Sequence, residues 1–133
     1  MGEKISWNLA VAVSNGPKAV DQRQLEVEAY DKLVVKVPGN EPSSTKKVTV
    51  DVQPSAASKV TFLYLSSTLY GDKLTYSVDG GAGNVVLDGP HLLTGAGMVG
   101  LLGGAPKKFE LSNRLGKDND AEITILVGRN AAS

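Results

Sequence analysis

The chain has 133 residues, and its 14 basic and 14 acidic residues cancel to a formal net charge of zero. A balanced charge gives no field for holding a nucleic acid or an anionic membrane surface, so neither partner is expected. The chain has no cysteine, which excludes disulfides, thiolate metal sites and a cysteine nucleophile.

Residues 5–13 alternate between larger apolar and smaller side chains, which is the period of two that strands show. The pattern predicts a strand with one apolar face in a core, so that Trp7 is buried. Asn15, Gly16 and Pro17 predict a turn after this strand. Residues 18–25 come nearest to a helical stripe, but the stripe is short and its apolar spacing also suits a loop, so little or no helix is predicted.

Four further strands are predicted before residue 66. Residues 25–29 and 33–37 alternate on either side of a break at Asp31 and Lys32, and residues 47–52 place valine at every second position. Residues 60–65 are apolar on nearly both faces. This segment is expected to be a central strand covered on each side, or covered on one side by a partner subunit.

The remaining strands follow the same alternation. Leu74, Tyr76 and Val78 alternate with polar residues, and the glycine-rich turn at residues 79–84 leads into residues 85–87, which predicts a hairpin. Residues 109–111 and 123–127 are two more predicted strands, the last of which is expected to end at Gly128.

Eight to nine short strands with turn signals between them, and little or no helix, predict an antiparallel β-sandwich formed by residues 1–133 as a single domain. A chain of this length buries enough surface to fold without a disulfide or a structural metal. The strand count favours a jelly-roll-like topology, with an immunoglobulin-like sandwich as the alternative.

Residues 89–106 carry no formal charge when His91 is neutral, and they include six glycines. Two interpretations are open: interior strands with glycine bends, or an apolar segment buried against another subunit. A membrane span is disfavoured by the glycines. The second interpretation makes the large apolar side chains interface candidates, namely Leu92, Leu93, Met98, Val99, Leu101 and Leu102.

Few residues suggest chemistry. Gly95, Gly97 and Gly100 match the dinucleotide-binding glycine spacing, but the segment leaves no room for the helix that this motif needs. His91 is the single histidine, and a triad with Asp88 and Ser66 or Ser67 would lack a nucleophile elbow. The alternating acids Asp118, Asp120 and Glu122 are interpreted as a solvated turn rather than a calcium loop. No catalytic residue, cofactor or metal ligand is predicted.

The sequence favours a non-enzymatic structural or assembly protein, a homo-oligomeric subunit of a virion or a protein shell. The alternative is a module that binds a small ligand or a carbohydrate, in which at least two exposed aromatic rings come together; the candidates are Trp7, Tyr64, Tyr70 and Tyr76. No signal peptide is recognised at the first residues, which fits a cytoplasmic or virion location.

Overall fold

A computed structural model describes residues 3–27, 29–44, 46–51, 59–79, 84–102 and 105–130. Within these ranges, a short helix α1 (Ala96–Val99) and a 3-10 turn (Gly100–Leu102) are the helical elements. The strands are β1 (Glu3–Ala12), β2 (Lys18–Val27), β3 (Ala29–Val37), β4 (Val48–Asp51), β5 (Lys59–Ser67), β6 (Leu74–Asp79), β7 (Val85–Val86), β8 (His91–Thr94), β9 (Ala105–Asn113) and β10 (Ala121–Asn130).

Two four-stranded antiparallel sheets form a sandwich, with strand orders β3-β10-β5-β8 and β4-β9-β6-β7. Their inner faces meet in one hydrophobic core, to which both sheets contribute fully buried side chains. Ile123 and Ile125 come from the first sheet and Phe109 and Leu111 from the second. The predicted all-β sandwich is therefore confirmed.

The predicted inward faces of the sandwich strands are confirmed as well. Leu74 and Tyr76 of β6 are at most 1% exposed, and Val127 of β10 is 1% exposed. On β5 the inward residues Leu63 and Leu65 are completely buried, and Phe62, which precedes them and points to the other face, is 3% exposed. Helix α1 packs against β5, and β5 lies between β10 and β8, so this strand is central as predicted.

The strand pairing has a nested order. In the sandwich the first strand pairs with the last, β3 with β10, and the next pairs inward are β4 with β9, β5 with β8 and β6 with β7. Consecutive strands β3, β4, β5 and β6 also alternate between the two sheets. This is the order that a long antiparallel hairpin adopts when it is rolled up into a sandwich.

The N-terminal part differs from its prediction. Residues 5–12 do lie in a strand, but β1 pairs with β2 in a separate two-stranded sheet, and its described residues do not enter the sandwich core. Residues 18–25 belong to β2, a strand that was not predicted for these residues. Its side chains alternate poorly because the described residues of β2 have no buried face, and alternation reports burial rather than strand pairing.

Three smaller predictions also need correction. Strand β3 runs without a break through Asp31 and Lys32, which pair with Val127 and Leu126 of β10. Strand β10 continues past Gly128 to Asn130, because a register shift at Gly128 keeps the pairing with β5 intact. The segment at residues 89–106 contains a strand, a helical turn and a 3-10 turn, rather than strands alone. The turn predicted at residues 79–84 lies mostly outside the described residues.

Asn113 forms side-chain hydrogen bonds to three backbone groups at one end of the sandwich. Its amide Nδ2 donates to the carbonyl oxygens of Val37 (3.1 Å) and Asn119 (2.7 Å), and its Oδ1 accepts from the Leu115 backbone N–H (3.0 Å). The side chain is completely buried. It therefore fixes the end of β3 and the loop between β9 and β10 to the end of β9.

Candidate functional site

Strands β1 and β2 form an arm outside the sandwich. Their pairing extends from Glu3 opposite Val27 to Ala12 opposite Lys18. The turn at its tip is closed by hydrogen bonds from Val13 N–H to the Pro17 carbonyl (2.9 Å) and from Gly16 N–H to the Val13 carbonyl (2.8 Å). Asn15 has a φ of 59°, a left-handed conformation that asparagine tolerates well. The predicted turn at residues 15–17 is thus confirmed.

The surface of the arm near its tip is largely apolar and exposed. Every residue from 8 to 20 is exposed. The large side chains among them are about half accessible: Leu9 45%, Val11 53%, Val13 59% and Val20 56%. No charged residue lies between Lys4 and Lys18. Because an isolated two-stranded hairpin is at best marginally stable in water, an arm of this kind needs a cover for its apolar surface.

An apolar groove lies on the sandwich where the edge strands β7 and β8 meet the helical segment. It encloses about 430 Å³. Its lining combines residues from both sheets and from the helical segment, namely Tyr76, Val85, Pro90, His91, Leu92, Leu93, Met98, Leu101 and Leu102. Leu101 protrudes beside it with 79% of its surface exposed. The groove has no formal charge when His91 is neutral.

One polar contact lies within the groove. The Tyr76 hydroxyl is hydrogen-bonded to His91 Nδ1 at 2.8 Å, and the two rings meet edge to face. Burial of Tyr76 raises the pKa of its phenol from 10.0 to about 12. The phenol is therefore neutral over the physiological range and holds the imidazole in one orientation, which shapes this end of the groove.

The predicted interface residues divide between the groove and the core. Five of the six line the groove: Leu92, Leu93, Met98, Leu101 and Leu102. Val99 is only 4% exposed and belongs to the hydrophobic core, because α1 turns it toward the interior. Val99 is therefore a packing residue. The arm was not among the candidates, although its uncharged length was visible in the sequence.

The glycine motif does not form a dinucleotide site. Gly95 has a φ of 90° and ends β8, and its carbonyl accepts from the Val99 N–H at 3.1 Å within α1. The helix that follows has four residues, which is too short to provide the N-terminal phosphate site of a dinucleotide fold. The glycines instead allow the chain to turn from β8 into the helical segment.

The described residues do not form a catalytic triad or a metal site. Among them, Tyr76 is the hydrogen-bond partner of the His91 ring, and no hydrogen bond joins His91 to Asp88, Ser66 or Ser67. Asp120 accepts from Gly39 N–H at 3.0 Å and lies 3.6 Å from Lys36 Nζ. No group of three or more ligating side chains is found in the described ranges.

A second cavity lies at the root of the arm. It encloses about 370 Å³ and is lined by Trp7, Asp21, Arg23, Gln24, Thr94 and Gly95. Trp7 is half-buried, so its predicted burial in the main core is wrong. In the described chain, none of the ring contacts joins Trp7, Tyr64, Tyr70 and Tyr76 to one another, so the paired aromatic rings expected of a carbohydrate site are not found.

No protein-family model, curated protein or solved structure matches this chain. Across the described residues, no helix has the length and apolar character needed to cross a membrane.

Proposed function

We propose that this protein is a non-enzymatic structural subunit that assembles with copies of itself and that the arm is its main assembly element. The observation that carries this proposal is the exposed apolar surface at residues 8–20 of the arm, none of which belongs to the sandwich core. Complete burial of a valine or leucine stabilises by about 1.5–3 kcal/mol, so covering the half-exposed part of each gains about 1 kcal/mol. Covering Leu9, Val11, Val13 and Val20 therefore gains about 4 kcal/mol.

The nested strand order supports a jelly roll as the topology of the sandwich. In an immunoglobulin-like sandwich, consecutive strands at the start of the chain pair within one sheet. Here β3 pairs with β10 and β4 pairs with β9, which favours the jelly roll. Jelly rolls form viral capsid domains among others, and by this fold-level analogy we propose that the assembly is a protein shell or a virion.

Self-association is tested by light scattering over a dilution series with two matched variants. Val11→Lys places a charge on the arm, where the valine is 53% exposed. Val34→Lys makes the same change on β3 of the sandwich, where the valine is 54% exposed. Both sites are exposed on strands, so neither change disturbs a packed core.

The Val11→Lys variant is expected to associate at least about tenfold more weakly than the wild type, because the lost burial and the dehydration of an ammonium group together exceed 1.4 kcal/mol. The Val34→Lys variant is expected to associate like the wild type. A wild type that stays monomeric at all concentrations contradicts the proposal. Equal weakening by both variants contradicts the role of the arm.

A second candidate function rests on the cavity at the root of the arm. Its volume of about 370 Å³ lies in the range of small-ligand sites, and Trp7, Arg23 and Gln24 offer one aromatic face and hydrogen-bonding groups. Trp7 is the single tryptophan, so its fluorescence reports directly on this cavity. Titration with a panel of glycans and small metabolites tests this candidate. A fluorescence change that saturates, and that Arg23→Ala abolishes, would favour it.

A further inference from the structure

We infer that two copies pair through the free edge of β1, antiparallel and about a two-fold axis at Asn8, so that their arms join into one four-stranded sheet. This inference rests on the proposed self-assembly and names the part of the arm that makes the contact. The partner of β1 is thus β1 of a second chain of the same sequence.

The free edge of β1 lacks the charges that keep sheet edges apart. Strand β1 has β2 on one side and, in the described chain, no strand on the other. Residues 5–12 of β1 carry no charge, whereas the edge strand β3 carries Lys32 and Lys36, and β2 carries Lys18 and Arg23. The remaining edge strands, β4, β7 and β8, have at most four residues. Because charged side chains deter edge-to-edge pairing, β1 is the described edge most open to another strand.

The hydrogen bonds of the hairpin show which backbone groups lie on this edge. The Val13 N–H donates to the Pro17 carbonyl at 2.9 Å, and these residues continue the register in which Ala12 lies opposite Lys18. Hydrogen-bonded and non-hydrogen-bonded pairs alternate in an antiparallel ladder, so the odd-numbered residues of β1 direct their N–H and C=O groups toward β2. The even-numbered residues direct theirs to the free edge, and all of them are exposed: Lys4, Ser6, Asn8, Ala10 and Ala12.

One register with a second copy uses every one of these outward groups. An antiparallel pair with its axis at Asn8 places Lys4 opposite Ala12, pairs the even residues between them in the same way, and forms about ten backbone hydrogen bonds. An axis at Trp7 or at Leu9 moves one outward residue past the end of the partner's β1 and leaves about eight. No charge lies opposite another charge in the Asn8 register. The strand is therefore its own complement, which favours a second copy over a foreign strand.

The same register brings apolar side chains together. Odd-numbered residues form the non-hydrogen-bonded pairs of the new junction, where opposite Cα atoms approach to about 4.5 Å. Trp7 then lies opposite Leu9 of the second copy, and Ile5 lies opposite its Val11. In the single chain Leu9 is 45% exposed and Val11 is 53% exposed, so both gain cover. Asp21, which pairs with Leu9 within the arm, lies on β2, one strand away from the junction.

Cysteine cross-linking tests the register, because the wild type has no cysteine. Asn8→Cys places two thiols at the axis on Cα atoms about 5.5 Å apart, a separation that a disulfide bridges. Docking holds these thiols at an effective concentration in the millimolar range. At about 10 µM protein, the covalent dimer should therefore form about a hundredfold faster than by random collision. The dimer is measured by mass spectrometry after mild oxidation.

Ala10→Cys is the matched control on the same edge. Its two thiols are separated by about 14 Å along the strand, so this variant alone should cross-link only at the rate of random collision. A mixture of Ala10→Cys with Ser6→Cys should again cross-link rapidly, because these residues lie opposite each other. Equal rates for Asn8→Cys and Ala10→Cys would overturn the two-fold pairing at Asn8.

A pair of proline variants tests the edge itself. Asn8→Pro removes an outward N–H from β1, and Gln22→Pro removes the outward N–H of the residue directly opposite on β2. Neither N–H takes part in the pairing of β1 with β2, and edge strands tolerate proline where the N–H faces outward, so both arms should remain formed. Equal far-ultraviolet circular dichroism of the two variants checks this.

In light scattering, Asn8→Pro is expected to associate at least about tenfold more weakly than the wild type, because both hydrogen bonds at the axis are lost. Gln22→Pro is expected to associate like the wild type. Wild-type association of Asn8→Pro, with an oligomer that Val11→Lys still dissociates, overturns the β1 edge and leaves the proposed assembly intact. A wild type that is monomeric at all concentrations overturns both.

Discussion

Replacing Asn113 by alanine is expected to loosen one end of the sandwich. The change leaves the Val37 and Asn119 carbonyls and the Leu115 N–H without their side-chain partner. A buried hydrogen bond contributes about 1 kcal/mol, so three lost bonds cost about 3 kcal/mol. The unfolding entropy of 133 residues is about 0.28 kcal/mol/K, and the midpoint of thermal unfolding should therefore fall by about 11 °C.

The assay is thermal unfolding followed by circular dichroism at one fixed protein concentration, because self-association shifts the midpoint by mass action. Asn8→Ala is the matched control, since Asn8 is exposed on the arm. Its midpoint should stay within about 2 °C of the wild type, in keeping with the small effect of surface substitutions. If the midpoint of Asn113→Ala decreases by less than about 4 °C, the reasoning is refuted. Water would then replace the lost hydrogen-bond partners at little cost.

Asn113→Asp separates hydrogen bonding from shape. An ionised carboxylate keeps the size of the amide but donates to neither carbonyl, so the folded state favours the protonated acid and raises its pKa. A carboxyl with a raised folded pKa destabilises increasingly as the pH rises above the unfolded value of about 3.9. The loss of stability relative to the wild type should therefore be larger at pH 7 than at pH 4. An equal loss at both pH values would contradict this assignment.

Three further changes test the groove, the loops near Gly39 and the helical segment. Because burial raises the pKa of the Tyr76 phenol from 10.0 to about 12, wild-type stability should fall as the pH rises from 10 through 12. Tyr76→Phe should remove that part of the fall, and it should cost about 1 kcal/mol of stability for the lost hydrogen bond to His91. Stability is measured by urea unfolding between pH 10 and 12. If the stabilities of wild type and variant fall in parallel with pH, the assignment is contradicted. Gly39→Ala would place a Cβ 2.8 Å from the backbone N and O of Asn119. The midpoint of thermal unfolding should fall by about 4–11 °C, for an overpacking cost of about 1–3 kcal/mol. Gly97→Ala, with open space around its Cβ and a helical backbone, should stabilise by up to about 1 kcal/mol. If the two glycine variants have equal midpoints of thermal unfolding, the backbone near Gly39 can move away from Asn119 at no cost in stability, which contradicts the expected overpacking.

Strands with one buried face could be predicted from the sequence. Residues of β6 and β10 alternate because each second side chain enters the core, and Leu74 and Ile123 are completely buried as expected. The same rule placed residues 5–13 in a core they do not enter. Alternation shows that a strand has an apolar face, but the identity of the covering surface depends on contacts that lie outside the strand.

Other features left weaker signals in the sequence. The first part of strand β2 was missed because neither face of residues 18–24 is buried, although Lys18 and Val20 take part in regular pairing with β1. The burial of Asn113 follows from the meeting of three chain segments, which no local pattern records. The apolar side chains of residues 89–106 were recognised in the sequence, but the groove that five of them line depends on how both sheets and the helical segment meet. Within this segment, the helical conformation of α1 buries Val99 in the core, whereas Leu101 remains exposed, and the sequence pattern did not distinguish the two.

The position of β10 imposes an order on biosynthesis. This strand lies between β3 and β5, so the first sheet has a gap at its centre until residues 121–130 have left the ribosome. The arm is translated before the strands of the sandwich, so it is present while the first sheet still lacks its inner strand β10. A chain truncated before β10 would therefore carry the arm beside a first sheet in which β3 and β5 have no strand between them.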